Sequence, residues 1–204
     1  MADVPLKSSP ETVPDALKAL NDLIATIAPD GLEAKTLPPV HLWNPENVAD
    51  IGMEIRADGS WWHEGTKFTR MKLVKLFSRI LRVDDDGKTY LVTPYEKVIV
   101  HVEDAPFTAV RVDRTGTPGR DQTLVFTTNL DDFTIASPET PLDVSLDSKT
   151  GEPSPYVNVR ARLMAKLSRP TYYDLAEFAE PSPEDPELWG VWSRGVFFPI
   201  GLAP

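Results

Sequence analysis

The chain has no cysteine, which excludes disulfides, thiolate zinc sites and cysteine nucleophiles together and fits a reducing cytoplasm. No apolar run approaches the ~18–20 residues that a membrane span needs, and the opening MADVPLKSSPETVPD lacks the apolar stretch of a signal peptide. The expectation is a cytoplasmic protein with no membrane contact. Histidine is scarce: His41, His63 and His101 show no ligand spacing, and HExxH is absent. The Asp84-Asp85-Asp86-Gly87 run lacks the alternation and terminal glutamate of a calcium loop. GxSxG, GxxxxGKS and GxGxxG are missing too, so no metal, no cofactor and none of the familiar hydrolase, P-loop or Rossmann chemistries is expected.

What is present is acid and proline. Thirty-one Asp and Glu outnumber 21 Lys and Arg, for a net charge of −10. Such a surface repels nucleic acid unless the basic residues are gathered in one place, and no nucleic-acid partner is expected. Twenty prolines imply many short elements with firm ends. At 41% hydrophobic and 25% charged, 204 residues suffice for one large or two small domains.

Residues 1–14 read as a flexible lead-in, followed by a helix from Pro14-Asp15 with Leu17, Leu20, Ile24 and Ile27 on one face. VHLW after Pro38-Pro39 is a short strand candidate. GMEIRADGSWWHEG alternates around Asp58-Gly59, a strong hairpin signal. Leu73, Leu76, Phe77, Ile80 and Leu81 then match a helical period, with Thr69 as N-cap and an end near Val83. Tyr90–Thr93, Lys97–Val102 and three segments between Phe107 and Ile135 read as strands of a meander, and 137–155 as a long loop. Ile55-Arg56, a helix, and a strand ending at Pro94 find a parallel in Val159-Arg160, a helix over 173–178, and Val196 to Pro199 after Gly195. The expected fold is therefore α+β: two related halves carrying a repeated β-hairpin–helix–β-hairpin motif, in mostly antiparallel sheets. The expected domains are 15–95 and 96–204.

Positive charge gathers in the two matching segments. Thr66 to Arg82 holds Lys67, Arg70, Lys72, Lys75, Arg79 and Arg82 with no acid, and Ser154 to Tyr173 holds Arg160, Arg162, Lys166 and Arg169, again with none. If the halves meet, these groups border one cleft suited to a small anion. A solvated helix face or pairing with the acidic runs explains the same pattern in structural terms. In Trp61-Trp62-His63-Glu64, Trp61 and His63 share a strand face, as a stacking platform beside an acid–base group or as ordinary core.

The stretch DGSWWHEGTKFTRMKLVKLFSRILRVDDDGKTYLVTPYEK resembles a bacterial domain-of-unknown-function family built on D-G-x-W-x-H-x-G, R-x-x-L-V-x-L-F-x-x-I-L-R and D-G-x-Y-x-L-V-T-P-x-E-K. VRARLMAKLSRPTYYDLAEFA and GVWSRGVFFPIG are similar to that family's second half. The resemblance implies a duplicated α+β core, a C-terminal half like a pleckstrin-homology barrel, and a site between the halves for a nucleotide-like ligand in signalling. Ala161-Arg162 stands where the family often has Asp-Gly, which puts a tight turn there in question.

The resulting expectation is non-enzymatic binding of a small anionic, nucleotide-like ligand between the halves, with a signal-transduction role. Arg56, Trp61, His63, Arg70, Arg160 and Tyr172 are its candidate lining. Arginines would hold the anion, Trp61 or Tyr172 would stack on a ring, and His63 would tune binding near neutral pH. Two alternatives stand beside it. One is a hydrolase or transferase on a phosphorylated or carboxylated substrate, using His63 and a carboxylate; the other is a protein-interaction module using a strand edge or the 137–155 loop. Whether there is any catalysis, and which protein partner there is, the sequence leaves open.

Overall fold

The computed structural model describes residues 36–146 and 152–202. The helix expected over residues 15–27 lies outside them. A 3-10 turn at Val40–Leu42, where VHLW suggests a strand, leads into β1 (Asn47–Ile55). Then come β2 (Trp61–His63), β3 (Thr66–Lys67), helix α1 (Met71–Ser78), β4 (Leu81–Val83), β5 (Thr89–Val92) and β6 (Glu96–Val102). These six strands form one sheet in the order β3-β2-β1-β6-β5-β4.

Asp58-Gly59 makes the tight turn expected of it, with Gly59 at φ 76° and its N–H donating to Arg56 O at 2.8 Å. Helix α1 is shorter than its period suggests. Ile80 and Leu81 continue the apolar face, but Leu81–Val83 pair antiparallel with Thr89–Leu91 across the Asp84–Gly87 turn, and that ladder takes the backbone groups a longer helix would have used. Nor does Thr69 cap it: Arg70 holds the N-cap position without a side-chain bond. Inside the first half, Phe77 stacks on Trp61 with ring centroids 6.4 Å apart, and Phe68 meets Phe77 edge-on at 5.9 Å.

The second half begins with β7 (Phe107–Thr115), β8 (Thr123–Thr128) and β9 (Phe133–Ile135). It continues through β10 (Leu142–Leu146), β11 (Pro153–Arg160) and β12 (Leu163–Leu167). The supposed loop 137–155 thus holds one whole strand and the start of another: β10 pairs with β11 from Leu142↔Val157 to Leu146↔Pro153, because Leu142 and Val157 both enter the core. This sheet, ordered β10-β11-β12-β7-β8-β9, curls into a half-barrel that brings β9 against β11, where the Thr134 hydroxyl donates to Asn158 O at 2.8 Å. Helix α2 (Arg169–Ala176) is capped by Ser168 Oγ, which accepts from Thr171 N. A small sheet of β13 (Glu180–Pro181), β14 (Leu188–Ser193) and β15 (Val196–Leu202) then packs against β8 and β10.

Two related halves are therefore present. The order hairpin, helix, hairpin occurs in each, but in the second the closing hairpin β14–β15 leaves the main sheet. A deeper likeness lies in the sheets themselves. Each consists of two three-stranded antiparallel meanders, joined in the middle by a parallel pair made of its first and sixth strands: β1 with β6, and β7 with β12. Since β6 sits between β1 and β5, the boundary expected after residue 95 would remove a central strand from the first sheet; the sheet ends after Val102.

Candidate functional site

A cleft of about 820 Å³ opens where the halves meet. Its walls are the segment 37–44, strand β4 with the Asp84–Asp86 turn, and the Arg160–Leu163 turn between β11 and β12. Leu37, Pro38, Pro39, Val40, Leu81 and Leu163 make part of it apolar, and among the described residues no Phe, Tyr or Trp lines it.

The polar part is built around Asp84, whose side chain is 14% exposed. Arg82 Nε and Lys97 Nζ donate to its two oxygens at 2.5 and 2.7 Å. Burial pushes the Asp84 carboxyl upward, but the hydrogen bonds and charges of Arg82 and Lys97 outweigh it and hold the group below its ordinary value. Arg82 also donates to the carbonyls of Val40 and Trp43, both at 2.6 Å, which fastens the 37–44 wall to the first sheet. Beside it Asp86 accepts a bond from Tyr90 OH at 2.7 Å, and that carboxylate, with lesser help from burial, pushes the phenol up to about 12. Arg79 Nη2 donates to Thr36 O at 2.7 Å.

The other half contributes Arg160 and Arg162 from one turn. Arg160 donates to Asp132 at 3.0 Å and to Ser78 O at 2.7 Å, capping the carbonyl end of α1 with a cation, and its guanidinium lies 5.1 Å from the Phe107 ring centroid. Arg162 donates to Asp84 O at 3.1 Å and to Asp85 at 2.6 Å. Between them the turn closes tightly without a glycine: Ala161 adopts φ 46°, and the Asn158 side-chain N–H donates to its carbonyl at 2.8 Å. A non-glycine residue held in this region beside a cleft is a local strain of the kind that clusters at ligand clamps.

Of the six residues singled out in the sequence, the cleft takes Arg160 alone. Arg56 stands at the β1–β2 turn, its guanidinium 3.6 Å from the ring centroid of Trp62 and its Nε 3.6 Å from Glu54. Trp61 is 2% exposed and stacked on Phe77, so no face of its ring is open to a ligand. His63 shares that buried strand face, opposite Met53. Arg70 is exposed at the start of α1. Tyr172 lies on α2, where its hydroxyl donates to Ile200 O at 3.0 Å and burial raises its pKa. The cleft cations outside that set are Arg79, Arg82, Lys97 and Arg162; all but Lys97 belong to the two basic runs visible in the chain, so the signal lies in those runs rather than in the aromatic hairpin.

Among the described residues, no group of three or more His, Asp or Glu side chains is placed to hold a metal ion, and no helix is long and apolar enough to cross a membrane.

These features define a mostly-sheet α+β protein with a duplicated six-stranded topology and a charged cleft between its halves. The chain belongs to the DUF1285 family: residues 38–105 match its "Domain of unknown function (DUF1285), N-terminal domain" and residues 106–200 its "Protein of unknown function (DUF1285), C-terminal domain". The first match ends just past β6, in agreement with the extent of the first sheet. It is similar to the crystal structure of a DUF1285 family protein from Silicibacter pomeroyi DSS-3, at 43% identity and TM-score 0.76 over 83% of this chain and 90% of that one. A DUF1285 family protein from Shewanella baltica OS155 matches at 32% identity and TM-score 0.49, over 62% of this chain and 91% of that one. No curated protein matches the chain.

Proposed function

We propose that the protein binds a small anion in the cleft between its halves and does not turn it over. The observation that carries this reading is the gathering of Arg79, Arg82, Lys97, Arg160 and Arg162 around one cavity of about 820 Å³ in a chain of net charge −10. The volume is in the range of small-molecule sites, and a cluster of cations inside an acidic surface favours anions there. Binding without turnover is supported by the state of the carboxylates. Asp84 is committed to two cations, Asp85 to Arg162 and Asp86 to Tyr90, which leaves none of the three placed as a proton donor or acceptor for a substrate. A ligand seated against both halves would stiffen their contact, and this is the route by which a signalling role would operate.

The test is a thermal-shift series with inorganic phosphate, AMP, ATP and short carboxylates. A ligand at about 100 times its Kd raises stability by about 2.7 kcal/mol. At least one of these anions is expected to raise the melting temperature of the wild type and to do so much less in Arg162→Ala. If no anion shifts the transition, the reading fails.

A further inference from the structure

One ionisable side chain in the cleft is uncommitted. Arg79, Arg82, Lys97, Arg160 and Arg162 each donate at least one hydrogen bond, and Asp84, Asp85 and Asp86 each accept one. His41 also lines the cleft, and among the described residues it has no hydrogen-bond or ion-pair partner. Its side chain is exposed, yet its backbone is fixed. It lies in the 3-10 turn Val40–Leu42, and Arg82 holds the Val40 and Trp43 carbonyls before and after it, both at 2.6 Å. The imidazole is therefore kept at the cleft wall while its two ring nitrogens stay open to a ligand. Resting on the reading of the cleft as an anion site, we propose that His41 is a further anion-contacting residue, and that its protonation makes the site bind more tightly below neutral pH than above it.

Histidine is the side chain whose charge ordinarily changes between pH 5 and 8. The charged groups that share the cleft with His41 are Arg79 after α1, Arg82 and Asp84 to Asp86 on β4 and its turn, Lys97 on β6, and Arg160 and Arg162 between β11 and β12. Lysine, arginine and aspartate ordinarily keep their charges across that range. Asp84 and Asp86 are held below their ordinary value, and Tyr90, bonded to Asp86, is pushed up to about 12. A change in the cleft's charge around neutral pH therefore falls to His41. Protonation adds one positive charge and a second N–H donor, so anion binding is gained as pH falls and lost as it rises. Asp85, 96% exposed, is the carboxylate open to compete for the imidazolium. A pairing there would loosen its hold on Arg162, and the cleft gains the same charge either way. The other two histidines lie elsewhere: His63 is buried opposite Met53, and His101 bonds Asp50 on the first sheet. The tuning role expected of His63 thus passes to a residue of the cleft.

The experiment is calorimetric titration of the full chain with sulfate and with lactate, whose own charges are constant around neutral pH. It is run at about pH 6 and about pH 8, at equal ionic strength, on the wild type, His41→Gln, His101→Gln and Arg162→Ala. The wild type is expected to bind about three- to fivefold more tightly at the lower pH, the range of an exposed charge pair. His41→Gln should bind as the wild type does at the higher pH and show no pH dependence, while His101→Gln keeps it. Arg162→Ala should weaken binding at both. His41 is exposed, so His41→Gln is expected to keep the wild-type melting temperature. Equal wild-type affinity at the two pH values, or a dependence that survives in His41→Gln, would overturn the role of His41 and leave the anion site standing. Failure of both anions to bind at either pH would overturn the anion site as well.

Discussion

Asp84 shows how single residues shape this cleft. It lies where the two ends of the β4–β5 turn converge, and two cations keep it ionised against the cost of its burial. Because its folded pKa is below the ordinary 3.8, its contribution to stability is fully present above about that value and is lost as pH falls through the folded one. Asp84→Asn should therefore cost about 3 kcal/mol near neutral pH, as expected for breaking a buried pair on one side. It should also flatten the acid limb of a plot of urea midpoint against pH. Equal acid sensitivity in variant and wild type would contradict this. Tyr90 gives a second check on the same turn. Ultraviolet titration should show one phenol near 12, returning toward 10.0 in Asp86→Asn, because the carboxylate that accepts its proton would be gone.

Between elements, turns decide the fit. Gly59 has φ 76°, and a Cβ there would come within 2.8 Å of Thr108 Oγ1 and 2.9 Å of Asn129 Nδ2. The β1–β2 turn is therefore seated directly on the second half, and Gly59→Ala should cost about 2 kcal/mol through strain and displaced contacts. Ala161 presents the opposite case: its φ of 46° is adopted without glycine. Ala161→Gly should relieve about 1 kcal/mol of strain and lose part of it to unfolded-state entropy, for a net rise in Tm of roughly 1–2 °C. A fall in Tm would show that the Asn158 bond to the Ala161 carbonyl already relaxes the turn.

For the whole molecule, the halves are joined by charge as well as by packing: Lys75 to Asp131 and Arg160 to the last turn of α1, with the exposed Arg162–Asp85 pair adding little. Arg160 ties β11, the β8–β9 connection and α1 together from a half-buried position, so Arg160→Ala should destabilise the protein by about 3 kcal/mol. Arg162→Ala, two residues away, should leave stability unchanged while weakening ligand. That contrast, read by chemical denaturation alongside titration, separates the cation that holds the halves from the one that meets the anion.

Local order was legible along the chain wherever one signal dominated. The Asp58-Gly59 hairpin, the helix on Leu73 and Phe77, the meander from Phe107 to Ile135 and the two basic runs all follow from turn chemistry, periodicity and charge acting over a few residues. The duplication was legible as an order of elements. Tertiary structure decided the rest. Leu81–Val83 left the helix because a strand partner just across the Asp84–Gly87 turn competed for its backbone, and β10 emerged from a polar segment because β11 offered it a ladder. The parallel pairing of first and sixth strands in each sheet joins residues too distant for any local pattern to reveal. The site followed the same rule: the sequence by itself determined that positive charge gathers in two segments, while only their meeting decided that Arg160 and Arg162 face Arg79 and Arg82 and that Trp61 turns inward, since burial and pairing depend on what arrives from the other half.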